Sequence, residues 1–157
     1  MSVKKPRKNK STSVLNRRAS FDYALGDELT VGIVLSGVET RSARDGHVQL
    51  KGSYVTLRNG ELWLNNSSFS VKINDKSHPN RTVDTTARKL LASRKQIESL
   101  EKSKQTGFSI VPIKLLTGGR FIKLIIALGK GKKTYDKRET LKRKQADREA
   151  SRMMKNR

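Results

Sequence analysis

Cysteine is absent from the 157 residues, which excludes disulfides and thiolate zinc sites. Histidine is nearly absent. His47 and His78 are not at metal-ligand spacing, and each falls in a stretch that reads as a turn, where a solvated imidazole is the ordinary state. Aromatic residues make up only 5% of the chain, and the K/R-G-F/Y-G/A-F-V signature of an RNA-recognition sheet does not occur, which argues against a flat platform stacking several bases. No apolar run reaches the roughly 18 to 20 residues of a membrane span, and the basic start is not followed by the apolar stretch of a signal peptide. The expectation is a cytoplasmic protein without a membrane segment, metal or cofactor.

Acidic residues are also few: 14 against 35 Lys and Arg, a formal net charge of +21. That excess goes far beyond what solubility requires and implies a polyanionic partner. The carboxylates mostly neighbour Lys or Arg, so no pair stands out for acid and base catalysis, and the phosphate-loop pattern G-x-x-x-x-G-K-[ST] is not met at Gly129 or Gly131. With no nucleophile and base, metal cluster or phosphate loop, a non-enzymatic, monomeric RNA-binding protein is expected.

The positive charge is unevenly placed. Residues 1–18 hold seven basic side chains and no acid, residues 129–157 hold twelve basic and four acidic, and residues 19–128 carry the remaining +6. The length suits one domain with extensions. Three regions are therefore expected: a disordered basic arm at 1–13, a body at 14–128, and a basic tail at 129–157 that is unstructured when free and helical when bound. In the tail, Asp136 with Glu139 three residues later reads as a helix start, and Ala146, Ala150, Met153 and Met154 give only a narrow apolar stripe.

Within the body, "VLNRRASFDYAL" reads as a short helix or turn, and "ELTVGIVLSG" as a strand with Gly32 at a bulge or bend. "VETRSARDG" reads as a short helical turn ending at Gly46. "SYVTLRNGELWLNN" alternates on both sides of Asn59-Gly60, which predicts a hairpin over 53–65. Residues 66–85 read as a polar loop, and "TTARKLLA" as an extended segment or a helix entry. Ser93 with Gln96 forms a capping box for a helix ending near Gly107. "FSIVPIKLL" and "RFIKLIIAL" form a second hairpin, with Pro112 at an edge or bulge. Five or six short strands with an intervening helix suit a small, mainly β, oligonucleotide-binding-type closed barrel; the alternative is an open sheet with helices on one face.

Several segments together carry a family resemblance: "NRRASFDY" at 16–23, "GIVLSGVETRSARDG" at 32–46, "SYVTLRNGELWL" at 53–64, "ARKLL" at 87–91 and "GKGKKTYDKRE" at 129–139. From Asn16 onward the chain resembles the small protein B family, the transfer-messenger RNA binding proteins of bacterial trans-translation. The resemblance implies an oligonucleotide-binding barrel that holds the tRNA-like domain of transfer-messenger RNA, and a tail that senses the empty messenger channel of a stalled ribosome. By motif position it implies RNA contacts from Asn16, Arg17, Arg18, Glu39, Arg41, Arg44, Arg88, Lys89 and Leu91. It implies ribosomal contacts from Lys130, Lys132, Lys133, Tyr135, Asp136, Lys137 and Arg138, with Tyr135 stacking on a base. Thr30 and Ser93 depart from the Glu and Asn that many members carry. The rival reading is a general or ribosomal RNA-binding protein without that specificity.

Overall fold

The computed structural model describes residues 13–72, 81–104 and 106–155. Its elements are β1 (Ser13–Leu15), α1 (Arg17–Asp22), β2 (Tyr23–Ile33), α2 (Gly37–Arg44), β3 (Val48–Gln49), β4 (Tyr54–Arg58), β5 (Glu61–Asn65), β6 (Ser68–Lys72), β7 (Arg81–Asp84), β8 (Arg88–Leu91), α3 (Arg94–Ser103), β9 (Phe108–Leu116), β10 (Lys123–Gly131) and α4 (Thr134–Lys155). The expected arm lies almost wholly outside the described residues, but Ser13 belongs to β1 and pairs with Leu116.

The main sheet runs β1-β9-β10-β2-β8-β5-β4, and a β4–β9 pairing at Val55 and Ile110 joins its ends into a six-stranded barrel with β1 attached outside. Closure removes the sheet edge and turns alternate side chains inward. Leu62, Leu64, Leu115, Leu124 and Ile126 are fully buried there. The mainly β, closed-barrel expectation therefore holds, and the open sheet does not.

Local signals account for several elements. Asn59 and Gly60 take φ of 52° and 74°, the paired positive values of a type I′ turn, so β4 and β5 keep register from Arg58↔Glu61 to Tyr54↔Asn65. Ser93 and Gln96 form both bonds of the capping box. Pro112 lies at the predicted irregularity: β9 and β10 lose register between Ile125, opposite Lys114, and Ile126, opposite Pro112, leaving Ile113 as the extra residue. A proline without an N–H is tolerated beside such a break.

Other expectations need correction. Residues 66–85 are not simply a loop: "SFSVK" and "RTVD" pair as β6 and β7, which with β3 form a second, three-stranded sheet. The alternation of Phe69 and Val71 with serines carries that strand, and the turn-forming residues dominate only at 73–80, outside the described residues. Gly32 sits in regular register between Leu91 and Lys123, so it marks no bulge. The break in β2 pairing falls instead between Ala127 and Gly129, where a Cβ on Gly129 would stand 2.9 Å from the Cβ of Tyr23. β10 consequently runs past 128 to Gly131 and takes up the start of the expected tail.

α4 begins at Thr134, two residues before Asp136. Asp136 does not cap it through its own position but reaches back to accept from the backbone N–H of Lys133 at 3.2 Å. From Leu141 to Met154 every α4 residue is exposed.

Candidate nucleic-acid interface

Arg88 begins β8 with a residue exposure of only 4%. Its guanidinium lies 4.0 Å above the centre of the buried Phe69 ring. Its Nε donates to Glu39 Oε1 at 2.7 Å, Nη1 to Thr86 O at 2.6 Å and Ser67 O at 3.2 Å, and Nη2 to Asp84 O at 3.3 Å. A buried cation needs such a set, because an unpaired one would carry a desolvation cost of several kcal/mol. Arg88 therefore ties β8 to α2 and to the second sheet, and its fork faces inward rather than toward a ligand.

Glu39 is the other half of this joint. One oxygen meets Arg88, and the other accepts from Ser36 N–H at 2.7 Å while Ser36 Oγ accepts from Glu39 N–H, completing a capping box at the start of α2. The pattern Ser36-x-x-Glu39 would have located this start in the sequence. Asp84 is held below the usual carboxylate range, chiefly by the Thr86 hydroxyl and backbone N–H, with burial opposing and Arg88 assisting.

Asn16 is also buried, at 7% exposure, and clips the β9 bulge: its N–H donates to Ile113 O at 2.7 Å and its Nδ2 to Pro112 O at 2.8 Å. The next residues form α1, where Arg17 is exposed and Arg18 donates to Asp22 Oδ2 at 3.0 Å while lying 5.4 Å from the Phe21 ring centre.

Asp22 connects α1 to the tail. Lys137 Nζ stands 3.1 Å from its Oδ1, and its backbone carbonyl accepts from Lys132 N–H at 2.9 Å. Lys132 Nζ donates to Ser20 O at 2.9 Å. These lysines meet the carbonyl end of α1, where cations are favoured. Burial pushes the Asp22 carboxyl up, but the bonds and charges of Lys137 and Arg18 outweigh it and hold the carboxyl below its usual value.

The remaining predicted residues are more open. Arg41 is exposed, as are Lys130, Lys133, Tyr135, Asp136 and Arg138. Arg44 is exposed yet its Nη2 donates to Arg120 O at 3.1 Å and Gly119 O at 3.4 Å, gripping the β9–β10 turn. Lys89 pairs with Glu61, both about two-fifths exposed. Leu91 is 53% exposed and lies in one rung with Gly32 and Lys123. The predicted set is thus two kinds of residue: Asn16, Glu39 and Arg88 hold the body together from within, while Arg17, Arg18, Arg41, Arg44, Lys89 and Leu91 lie on its surface. Among the described residues no cluster of His, Asp and Glu could hold a metal ion, and no helix is long and apolar enough to cross a membrane.

A family model described as SmpB protein matches residues 13–156. The SsrA-binding protein of Enterococcus faecalis (strain ATCC 700802 / V583) is 44% identical over 142 residues, covering 90% of this chain and 91% of its own. That of Bacillus subtilis (strain 168) is 43% identical over 138 residues, 87% of each chain. A solved structure described as "tmRNA-SmpB: a journey to the center of the bacterial ribosome" matches with a TM-score of 0.59 and 32% identity, covering 79% of this chain and 87% of that one.

Proposed function

The chain belongs to the SmpB family, and from that membership we propose that it binds the tRNA-like domain of transfer-messenger RNA and delivers it to stalled ribosomes for trans-translation in the cytoplasm. The barrel and α2 present the RNA-binding surface, with Arg17, Arg18, Arg41, Arg44, Lys89 and Leu91 as direct contacts. Asn16, Glu39 and Arg88 give that surface its shape from beneath. The protein acts as a monomer and as a binding protein rather than a catalyst.

The observation that carries the division of labour is α4, a 22-residue helix in which no position from Thr134 to Met154 is buried. A helix of this polarity gains little from its own chain, so a partner must supply what its folding lacks. An rRNA-lined messenger channel supplies phosphate to its lysines and arginines, and Tyr135, 68% exposed at its first turn, has a ring free to stack on a base. In this account Lys130, Lys132, Lys133, Tyr135, Asp136, Lys137 and Arg138 form the segment that enters the ribosome.

Affinity for the tRNA-like domain of transfer-messenger RNA, measured beside an ordinary tRNA of equal length at fixed salt, tests the assignment. A clear preference is expected, and equal affinity would leave only a general RNA-binding protein. Deleting residues 134–157 is expected to preserve that affinity and to abolish tagging on stalled ribosomes. Loss of RNA affinity in the truncated protein would contradict the split between body and tail.

A further inference from the structure

Phe121 is the most exposed of the chain's aromatic side chains, at 69%. It stands at the tip of the turn between β9 and β10, where nothing in turn geometry requires a ring. The following residue, Ile122, is 7% exposed and anchors the tip to the core, so Phe121 is displayed rather than loosely placed. Arg44 holds the same turn from α2 through the carbonyls of Gly119 and Arg120. An exposed aromatic on a braced turn keeps its orientation before any ligand arrives, which lowers the entropy cost of binding.

The charge around it has one sign. The guanidinium of Arg120 lies over the Phe121 ring at 5.4 Å from its centre, and Lys123 is exposed two residues further on. Between Glu101 and Asp136 the chain has no acidic residue. A flat apolar ring beside a planar cation and an ammonium suits a ligand with its own flat π-face and adjacent negative charge. That description fits a nucleotide in a single-stranded segment.

We propose that the Arg120–Phe121 tip is a stacking site for one unpaired nucleobase, with Arg120 and Lys123 meeting its flanking phosphates. The proposal rests on the RNA-binding reading above and adds a site outside the residues assigned there. Because Leu91 and Lys123 share a rung across Gly32, the tip extends the proposed RNA surface along one end of the barrel. A single stacking site is compatible with the low aromatic content that excludes a multi-base platform.

The test uses the full-length protein, its Phe121→Leu, Phe121→Trp and Arg120→Gln variants, and two probes: a transcript of the tRNA-like domain and an unstructured oligoadenylate. Phe121→Leu keeps an apolar side chain but removes the π-face. It is expected to weaken binding about tenfold at fixed salt with an unchanged salt slope. Phe121→Trp should bind at least as tightly as the original, and Arg120→Gln should reduce the salt slope by about one. Wild-type affinity of Phe121→Leu for both probes, with its melting temperature unchanged, overturns the stacking site. Failure of Phe121→Trp to retain affinity overturns it as well. If the unaltered protein ignores the transcript while Phe121→Leu still weakens oligoadenylate binding, the transfer-messenger RNA reading falls and the stacking site stands.

Discussion

Replacing Arg88 separates a scaffold role from a ligand role, because the two predict opposite outcomes. In Arg88→Ala the Glu39 carboxylate, whose side chain is only 13% exposed, loses its cation, and the carbonyls of Ser67, Asp84 and Thr86 lose a donor. The upper face of Phe69 is opened at the same time. Breaking a buried pair costs about 3–5 kcal/mol. Here the lower end applies, since Glu39 keeps its bond from Ser36 N–H and Asp84 is 38% exposed and can be hydrated. At about 3 kcal/mol, and about 2–4 °C per kcal/mol for a chain of this size, the melting temperature should fall by about 6–12 °C. Calorimetry or circular dichroism reads the shift, and RNA affinity is then measured well below the new midpoint. Affinity within about threefold of the original is expected there, because the fork does not face the ligand. An unchanged melting temperature with RNA binding lost would refute this account and return Arg88 to the surface contacts. Arg88→Lys should fall between, keeping the charge for Glu39 but lacking the planar fork that reaches three carbonyls.

Asp22→Asn should loosen the first turns of α4, seen as faster amide exchange over residues 134–140 with the barrel unaffected; unchanged exchange would show that Lys132 and the helix itself suffice. Because the folded carboxyl of Asp22 titrates below its ordinary value, its contribution is fully present above the unfolded value of about 3.9 and is lost as pH falls through the folded one. An Asp22 side-chain resonance titrating at or above the ordinary aspartate value would contradict the contacts with Lys137 and Arg18. Gly129→Ala should destabilise the barrel by about 1–3 kcal/mol, since its new Cβ would stand 2.9 Å from the Cβ of Tyr23; an unchanged denaturation midpoint would mean that β2 yields without cost. If about six phosphates are neutralised by the body, log affinity should fall with log salt at a slope on the order of −4 to −5, and a nearly flat response would rule out backbone-dominated binding.

The parts of this fold that were legible in the sequence are those whose causes are local. Asn59-Gly60 requires only its own two dihedral angles, and Ser93 with Gln96 closes a capping box within one turn. Ile113 bulges beside the proline that forecast an irregularity. Ser36 and Glu39 are as local, and their box was there to be found. Barrel closure was not: Val55 and Ile110 are 55 positions apart, and no periodicity distinguishes an open sheet from one whose ends meet. The second sheet was obscured because its strands are short and enclose residues that look like turn formers.

The site was less legible than the fold, and the reason lies in how acids sort cations. An excess of positive charge says that phosphate is wanted, but it does not say which cations remain available for it. Glu39 draws Arg88 into the interior from 49 positions away, Glu61 occupies Lys89, and Asp22 takes both Arg18 and Lys137. These carboxylates are few, and each is used to direct a neighbouring element: α2 onto β8, β5 onto β8, α4 onto α1. The pairs differ in burial, so they differ in what RNA can do to them. Arg88 is enclosed and will not exchange Glu39 for a phosphate, because the fork would have to leave Phe69 and three carbonyls. Lys89 and Lys137 are about a third or more exposed, where an ion pair contributes at most about 1 kcal/mol, and an RNA phosphate can replace the carboxylate at little cost. Burial at the cation, rather than its place in a basic motif, therefore separates the arginine that builds the surface from the lysines that are free to bind through it.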